Sequence, residues 1–185
     1  MKIIDLPPGD EALITQAAAL LVEGFRATNP EAWPTLEDGL EEVRENLDPE
    51  RICRVAVDES GAALGWIGAQ QATAVMWELH PLVVAPASQG RGVGRALVRD
   101  LERQVWARGG RTLWLGSDDE ADLTSLGGVD VYPDPLAHLA ALRNLRGHPF
   151  EFYQKQGFVL VGLLPDANGF GKPDILMAKR LAPPE

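Results

Sequence analysis

Leu82-Val83-Val84-Ala85-Pro86-Ala87-Ser88-Gln89-Gly90-Arg91-Gly92-Val93-Gly94-Arg95 is the stretch that decides how the chain is read. Its apolar, β-branched start reads as a strand, and its glycine-rich middle opens an amphipathic helix, Gly92–Arg108, with Val93, Ala96, Leu97, Leu101 and Val105 on one side. A strand that delivers glycines to a helix N-terminus makes an anion cradle. The unpaired N–H groups and the positive end of the helix dipole attract phosphate, and glycine lets it approach the backbone. The spacing excludes two familiar phosphate loops: G-x-G-x-x-G fails because Gly90, Gly92 and Gly94 alternate, and no G-x-x-x-x-G-K-[ST] occurs.

Outward from this stretch, 185 residues with 45% hydrophobic content and a mean hydropathy of −0.09 predict one soluble domain over residues 1–185. Neither a basic leader with an apolar run nor a membrane-length apolar segment is present in the sequence, so a cytoplasmic protein is expected. A net charge of −10 argues against nucleic acid and anionic membranes as partners and favours a cationic substrate. The single cysteine, Cys53, sits in the apolar run Ile52–Val57 and reads as a packed thiol.

Ile3–Leu6 reads as a first strand, followed by a helix capped near Asp10 with Leu13, Ala17, Leu20 and Leu21 on one face. A second helix starts after Thr35 and ends at Pro49, carrying Leu36, Leu40, Val43 and Leu47 inward and Glu37, Asp38, Glu41, Glu42 and Glu45 outward. Residues 26–34 between them are proline-broken loop. An antiparallel meander is expected at 51–57, 62–72 and 75–84, with a turn at Asp58–Gly61. After the glycine-opened helix, Gly109-Gly110 is a stop and 112–116 is a strand, whose connection implies one parallel crossover. A helix at 148–156 and strands at 157–164 and 174–180 complete the reading.

Glu78 and His80 alternate along one strand and share a face two residues before the glycine-bound segment. Glu78 is a candidate to hold and deprotonate an acceptor ammonium, against the alternative of a strand ion pair; His80 is either an orienting hydrogen bonder or a proton shuttle. In the acidic run Ser117–Asp122, an EF-hand metal loop fails because Leu123 and Val129 stand where glycine and glutamate are required, and no metal is expected. Cation recognition by Asp118, Asp119 and Asp122 is set against a solvated acidic loop.

Gln89-x-x-Gly92-x-Gly94 matches the Q-x-x-G-x-G signature of the GNAT N-acetyltransferases. Trp77–Val84, Leu115–Asp119, His148–Lys155, and Pro165–Gly169 with Lys172–Ile175 resemble, in order, the aminoglycoside 6'-N-acetyltransferases of that superfamily, over about Pro49 to Arg180. The resemblance implies an α/β (α+β) GNAT fold, with a mixed, mostly antiparallel sheet flanked by helices and one parallel βαβ crossover at a splayed acetyl-coenzyme A site. It implies acetyl-coenzyme A as co-substrate and an aminoglycoside 6'-amino group as acceptor, in a chain for which a homodimer is admissible. The donor would lie along the backbone of Leu82, Val83 and Val84, with an N–H near Leu82 on the thioester carbonyl, and on Gln89, Gly90, Arg91, Gly92, Val93, Gly94 and Arg95. Arg91 and Arg95 either add charge to that cradle or are solvated surface residues. Tyr153 resembles the tyrosine that contacts coenzyme A and protonates its thiolate, its alternative being a core aromatic; either Trp33 or Phe25 would stack on the sugar. Two other readings use the same cradle: a GNAT enzyme for another amine, such as a polyamine or a protein N-terminus, and a non-catalytic acyl-coenzyme A sensor.

Overall fold

The computed structural model describes residues 1–183. The chain divides into two compact units, Met1–Leu113 with the residues from Leu181 onward, and Trp114–Arg180. The boundary falls inside one strand, β5 (Thr112–Asp118).

The first unit holds β1 (Lys2–Asp5), α1 (Glu11–Phe25), α2 (Leu36–Asn46), β2 (Ile52–Val57), β3 (Ala63–Gln71), β4 (Met76–Val84) and α3 (Val93–Ala107). Strands β2, β3 and β4 pair antiparallel, as the meander predicts, and β1 adds to β2, also antiparallel. At the start of β5 the N–H groups of Arg111 and Thr112 both donate to the carbonyl of Val75, at 2.7 and 3.1 Å, so β5 sets out from the end at which β4 begins. That is the parallel step, reached through α3.

All six residues of β2 are buried, which requires cover on both faces. Cys53, Val55 and Val57 join Leu13, Ile14, Ala17, Leu21, Val43 and Trp66 in the core under α1 and α2, and the Trp66 indole N–H donates to the carbonyl of Ala17 at 3.0 Å. Burial pushes the Cys53 thiol up to about 12, in keeping with a packed and unreactive side chain. The alternate residue Arg54 points the other way and donates to Asp100 of α3 at 2.6 Å. Asp10 caps α1 through the Leu13 N–H, and Thr35 with Asp38 forms a capping box on α2.

Two details of α2 differ from the expectation. Leu36, at the first helical position, lies outside the packed turns and is exposed, whereas Glu42 turns inward because its carboxylate finds three polar partners there. The helix also stops at Asn46, before Pro49.

The second unit contains the rest of β5, α4 (Pro135–Ala140), α5 (Phe150–Lys155), β6 (Val159–Leu164) and β7 (Asp174–Arg180), with strand order β5-β7-β6 and β6 antiparallel to β7. No element was expected where α4 stands. Its signals were Asp134, whose side chain accepts from the Ala137 N–H, and Pro135 in the first turn.

Candidate active site

Below β4, Pro86–Ser88 makes one 3-10 turn and the Gln89 side chain donates to the carbonyl of Val84 at 3.2 Å. Gly90 and Gly92 then take φ of +70° and +87°, and Gly92 is the left-handed N-cap of α3. No side chain caps this helix, and its first turn holds no acidic residue. The N–H groups of Val93, Gly94 and Arg95 precede the first helical bond, from Ala96 to the carbonyl of Gly92. A side chain at Gly90 would meet nothing within 4 Å, so the loop ahead of the helix stands in open space. The Arg95 guanidinium lies 3.6 Å from where a Gly92 Cβ would stand, beside the cradle. An anionic pyrophosphate fits such a surface.

Glu78 and His80 share one face of β4; an extra β4 residue opposite Gly68 then reverses the alternation, so Val83, opposite Trp66, is buried on that face and Leu82, opposite Ile67, turns to the other. The β3–β4 register slips between Ile67↔Leu82 and Ala69↔Leu79, leaving Gly68 against His80 and Pro81. The irregularity of β4 therefore lies just before Leu82. Glu78 sits opposite Gln70, whose amide donates to its carboxylate at 3.0 Å. His80 Nε2 lies 3.6 Å from the carboxylate of Glu42. Trp33 donates its indole N–H to the same carboxylate at 3.3 Å and packs edge-on against Phe25 at 4.8 Å. Phe25 and Trp33 are thus neighbours in one aromatic pair.

In the second unit the acidic run divides by exposure. Asp118 is exposed and accepts from the Asn168 amide at 3.1 Å. Asp119, expected as a substrate contact, is fully buried and takes up the N–H groups of Leu123 and Thr124 and the Thr124 hydroxyl, at 2.5, 3.0 and 2.6 Å. Its oxygens close the loop, and the residue has no exposed surface. Asp122 is exposed, at φ +52°, with its carbonyl held by Arg146. His148 is 2% exposed, accepts from the Phe150 N–H at Nδ1 and faces the Asp118 carbonyl at 2.9 Å through Nε2. Those contacts specify the neutral Nε2–H tautomer. Burial is the largest influence on this imidazole and lowers its pKa. Tyr153 packs between Phe152 and Phe158, at 5.1 and 5.7 Å, and burial raises its phenol well above the ordinary tyrosine value.

Residues 18–127 match the Acetyltransferase (GNAT) family. The chain belongs to the GNAT acetyltransferase family. Among solved structures it is similar to an aminoglycoside 6'-N-acetyltransferase complexed with coenzyme A, at 41% identity and a TM-score of 0.89 over 100% of this chain and 99% of that one. An aminoglycoside 6'-N-acetyltransferase from Enterococcus faecium matches at 41% identity and a TM-score of 0.87, over 100% and 99%. An aminoglycoside 6'-acetyltransferase type Ii matches at 37% identity and a TM-score of 0.74, over all of both chains. No curated protein matches the chain.

As a GNAT acetyltransferase the protein takes its acetyl group from acetyl-coenzyme A. Glu42 and Asn46, which the structure groups with Trp33 and His80, were not singled out by the sequence reading. Their signal was an i, i+4 polar pair flanking Leu40, Val43 and Leu47, which an outward-facing acidic stripe disguised. No helix among the described residues is long and apolar enough to cross a membrane.

The cradle of this acetyltransferase carries a direct test. Gly92→Val forces a β-branched residue to φ +87° and puts its side chain beside the helix donors. A charge-assisted hydrogen bond contributes roughly 1.5–3 kcal/mol, so losing one should weaken acetyl-coenzyme A binding by about 10- to 150-fold. Calorimetry on folded Gly92→Val protein reads this, and unchanged affinity would remove Gln89–Arg95 from the donor site.

Proposed function

We propose that the protein acetylates the 6'-amino group of aminoglycoside antibiotics, by direct attack of that amine on acetyl-coenzyme A in a ternary complex, and so confers resistance. The observation that carries this reading is 41% identity to two aminoglycoside 6'-N-acetyltransferases over the whole of this chain. The first unit supports it with a carboxylate, Glu78, and an imidazole, His80, on one strand face, and with the aromatic pair Phe25 and Trp33 grouped around Glu42 and His80.

Acyl transfer to an amine needs the amine neutral, the oxyanion stabilised and the leaving thiolate protonated. Glu78 holds the ammonium and receives its proton, directly or through water, while Gln70 keeps the carboxylate in place. The backbone N–H of Leu82 stabilises the oxyanion, the donors of Gln89–Arg95 hold the pyrophosphate, and Tyr153 supplies the thiolate's proton. Asp118 and Asp122 are the exposed acids of the second unit that contact substrate ammonium groups; Asp119 serves its own loop. The net charge of −10 suits a polycationic acceptor and disfavours nucleic acid and anionic membranes. We place the enzyme in the cytoplasm, where its donor is made.

A thiol-release assay tests the reading. Coenzyme A should appear with kanamycin and stay at background with the 6'-hydroxyl counterpart. Turnover of a polyamine or an N-terminal peptide, with none on kanamycin, would assign another acceptor. Donor binding without turnover of any amine would make the protein a sensor.

A further inference from the structure

We infer that Glu42 is a positioning residue of the acceptor face, whose single carboxylate sets the His80 imidazole and the Trp33 indole in one fixed relation. The inference rests on the reading of that face as the aminoglycoside site.

The two carboxylate oxygens have separate tasks. Oε2 accepts the Trp33 indole N–H at 3.3 Å; Oε1 accepts the Asn46 amide at 2.8 Å and faces His80 Nε2 at 3.6 Å. Asn46 is buried and donates a second bond, at 3.0 Å, to the Glu42 carbonyl, which locks the end of α2 against its own acid. The oxygen of that amide, Oδ1, has no hydrogen-bond partner and fills the space a Gly68 side chain would need, beside the His80 carbonyl. Loop, α2 and β4 are thereby tied at one carboxylate that is only 16% exposed. The two rings it holds lie 6.0 Å apart.

A carboxylate only accepts, so the positioning inferred here requires the proton on His80 Nε2, and in the neutral imidazole Nδ1 keeps the lone pair. Burial works to raise the Glu42 pKa, but the contact with His80 and the bonds from Trp33 and Asn46 outweigh it and leave the acid below its ordinary range. Glu42 is therefore ionised at neutral pH. Among the described residues, His80 faces this carboxylate from α2 and has Glu78 two residues back on its own strand; β3 brings the neutral Gln70 and Gly68, and the loop before α2 brings Trp33.

The test reads His80 by imidazole nitrogen and carbon NMR and the enzyme by steady-state kinetics. In the wild type, His80 should be the Nε2–H tautomer when neutral; an Nδ1–H tautomer would overturn the inference whatever the variants do. Glu42→Gln keeps the shape and removes the charge, so the His80 pKa should fall by about one unit. Its kcat/KM for kanamycin should drop by roughly tenfold or more, with KM for acetyl-coenzyme A unchanged. Glu42→Asp should recover part of the titration shift. A folded Glu42→Gln protein with unmoved His80 titration and wild-type kanamycin kinetics would make Glu42 a scaffold residue only. The titration needs no substrate, so a wild type inactive on kanamycin would sink the proposed acceptor and still leave Glu42 decided by the NMR.

Discussion

Tyr153→Phe is expected to lower kcat by about 10²- to 10⁴-fold, the range of a lost general acid, with KM for both substrates close to wild type. The argument starts from packing. Tyr153 is a buried residue of the short helix α5, edge-on to Phe152 and Phe158, so a phenylalanine keeps every ring contact and removes one hydroxyl. Burial raises the phenol's pKa, so the side chain stays protonated throughout the neutral range, as a proton donor must. Thermal stability should therefore hardly change while turnover collapses. Pre-steady-state measurement of thiol release separates the chemical step from product release. Wild-type rates there, in a folded Tyr153→Phe enzyme, would assign Tyr153 to the core alone.

Asp100→Ala should be the most damaging substitution for stability, at about 3–5 kcal/mol, the cost of leaving a buried charge without its main partner. Arg54 and Asp100 are both nearly buried, and Asp100 also accepts from Arg103 at 3.1 Å. The desolvation of Arg54 works to lower its pKa, yet its hydrogen bonds to Asp100 and Asp5 prevail and raise it, so the guanidinium keeps its charge and loses most by the change. For a chain of this length the loss corresponds to a Tm lower by roughly 6–20 °C, against almost no change for Arg103→Ala, whose side chain is largely exposed. Calorimetric unfolding of both variants checks it. Equal, small losses would mean that Asp5 alone supports Arg54.

Local rules carried much of the architecture. The strand at 76–84, the glycine-opened helix and the Asp10 and Thr35 caps were legible because each depends on neighbours within a few positions: alternation, left-handed glycine, or a side-chain oxygen over the first free N–H groups. The short helix α4 was passed over, since six residues hold too little periodicity to stand out against loop.

The candidate site divides along the same line. Cradle and strand-face residues were readable from spacing, and the resemblance added Tyr153 and the aromatics of the loop. The sequence by itself determined that a strand end meets an uncapped helix N-terminus and that Glu78 and His80 share a face, because backbone hydrogen bonding and the period of a strand admit little else. Only the tertiary structure decided which acids serve which purpose. Asp118 and Asp119 are consecutive and chemically equal, yet one is exposed and the other is spent on three bonds to its own loop. Glu42 reads as one acid among many on α2, and it turns inward because Trp33 of the preceding loop, Asn46 one turn along the same helix and His80 of β4 converge on it. A carboxylate's role follows from the donors around it and the water it has lost, and both are set by how the chain folds and packs around it.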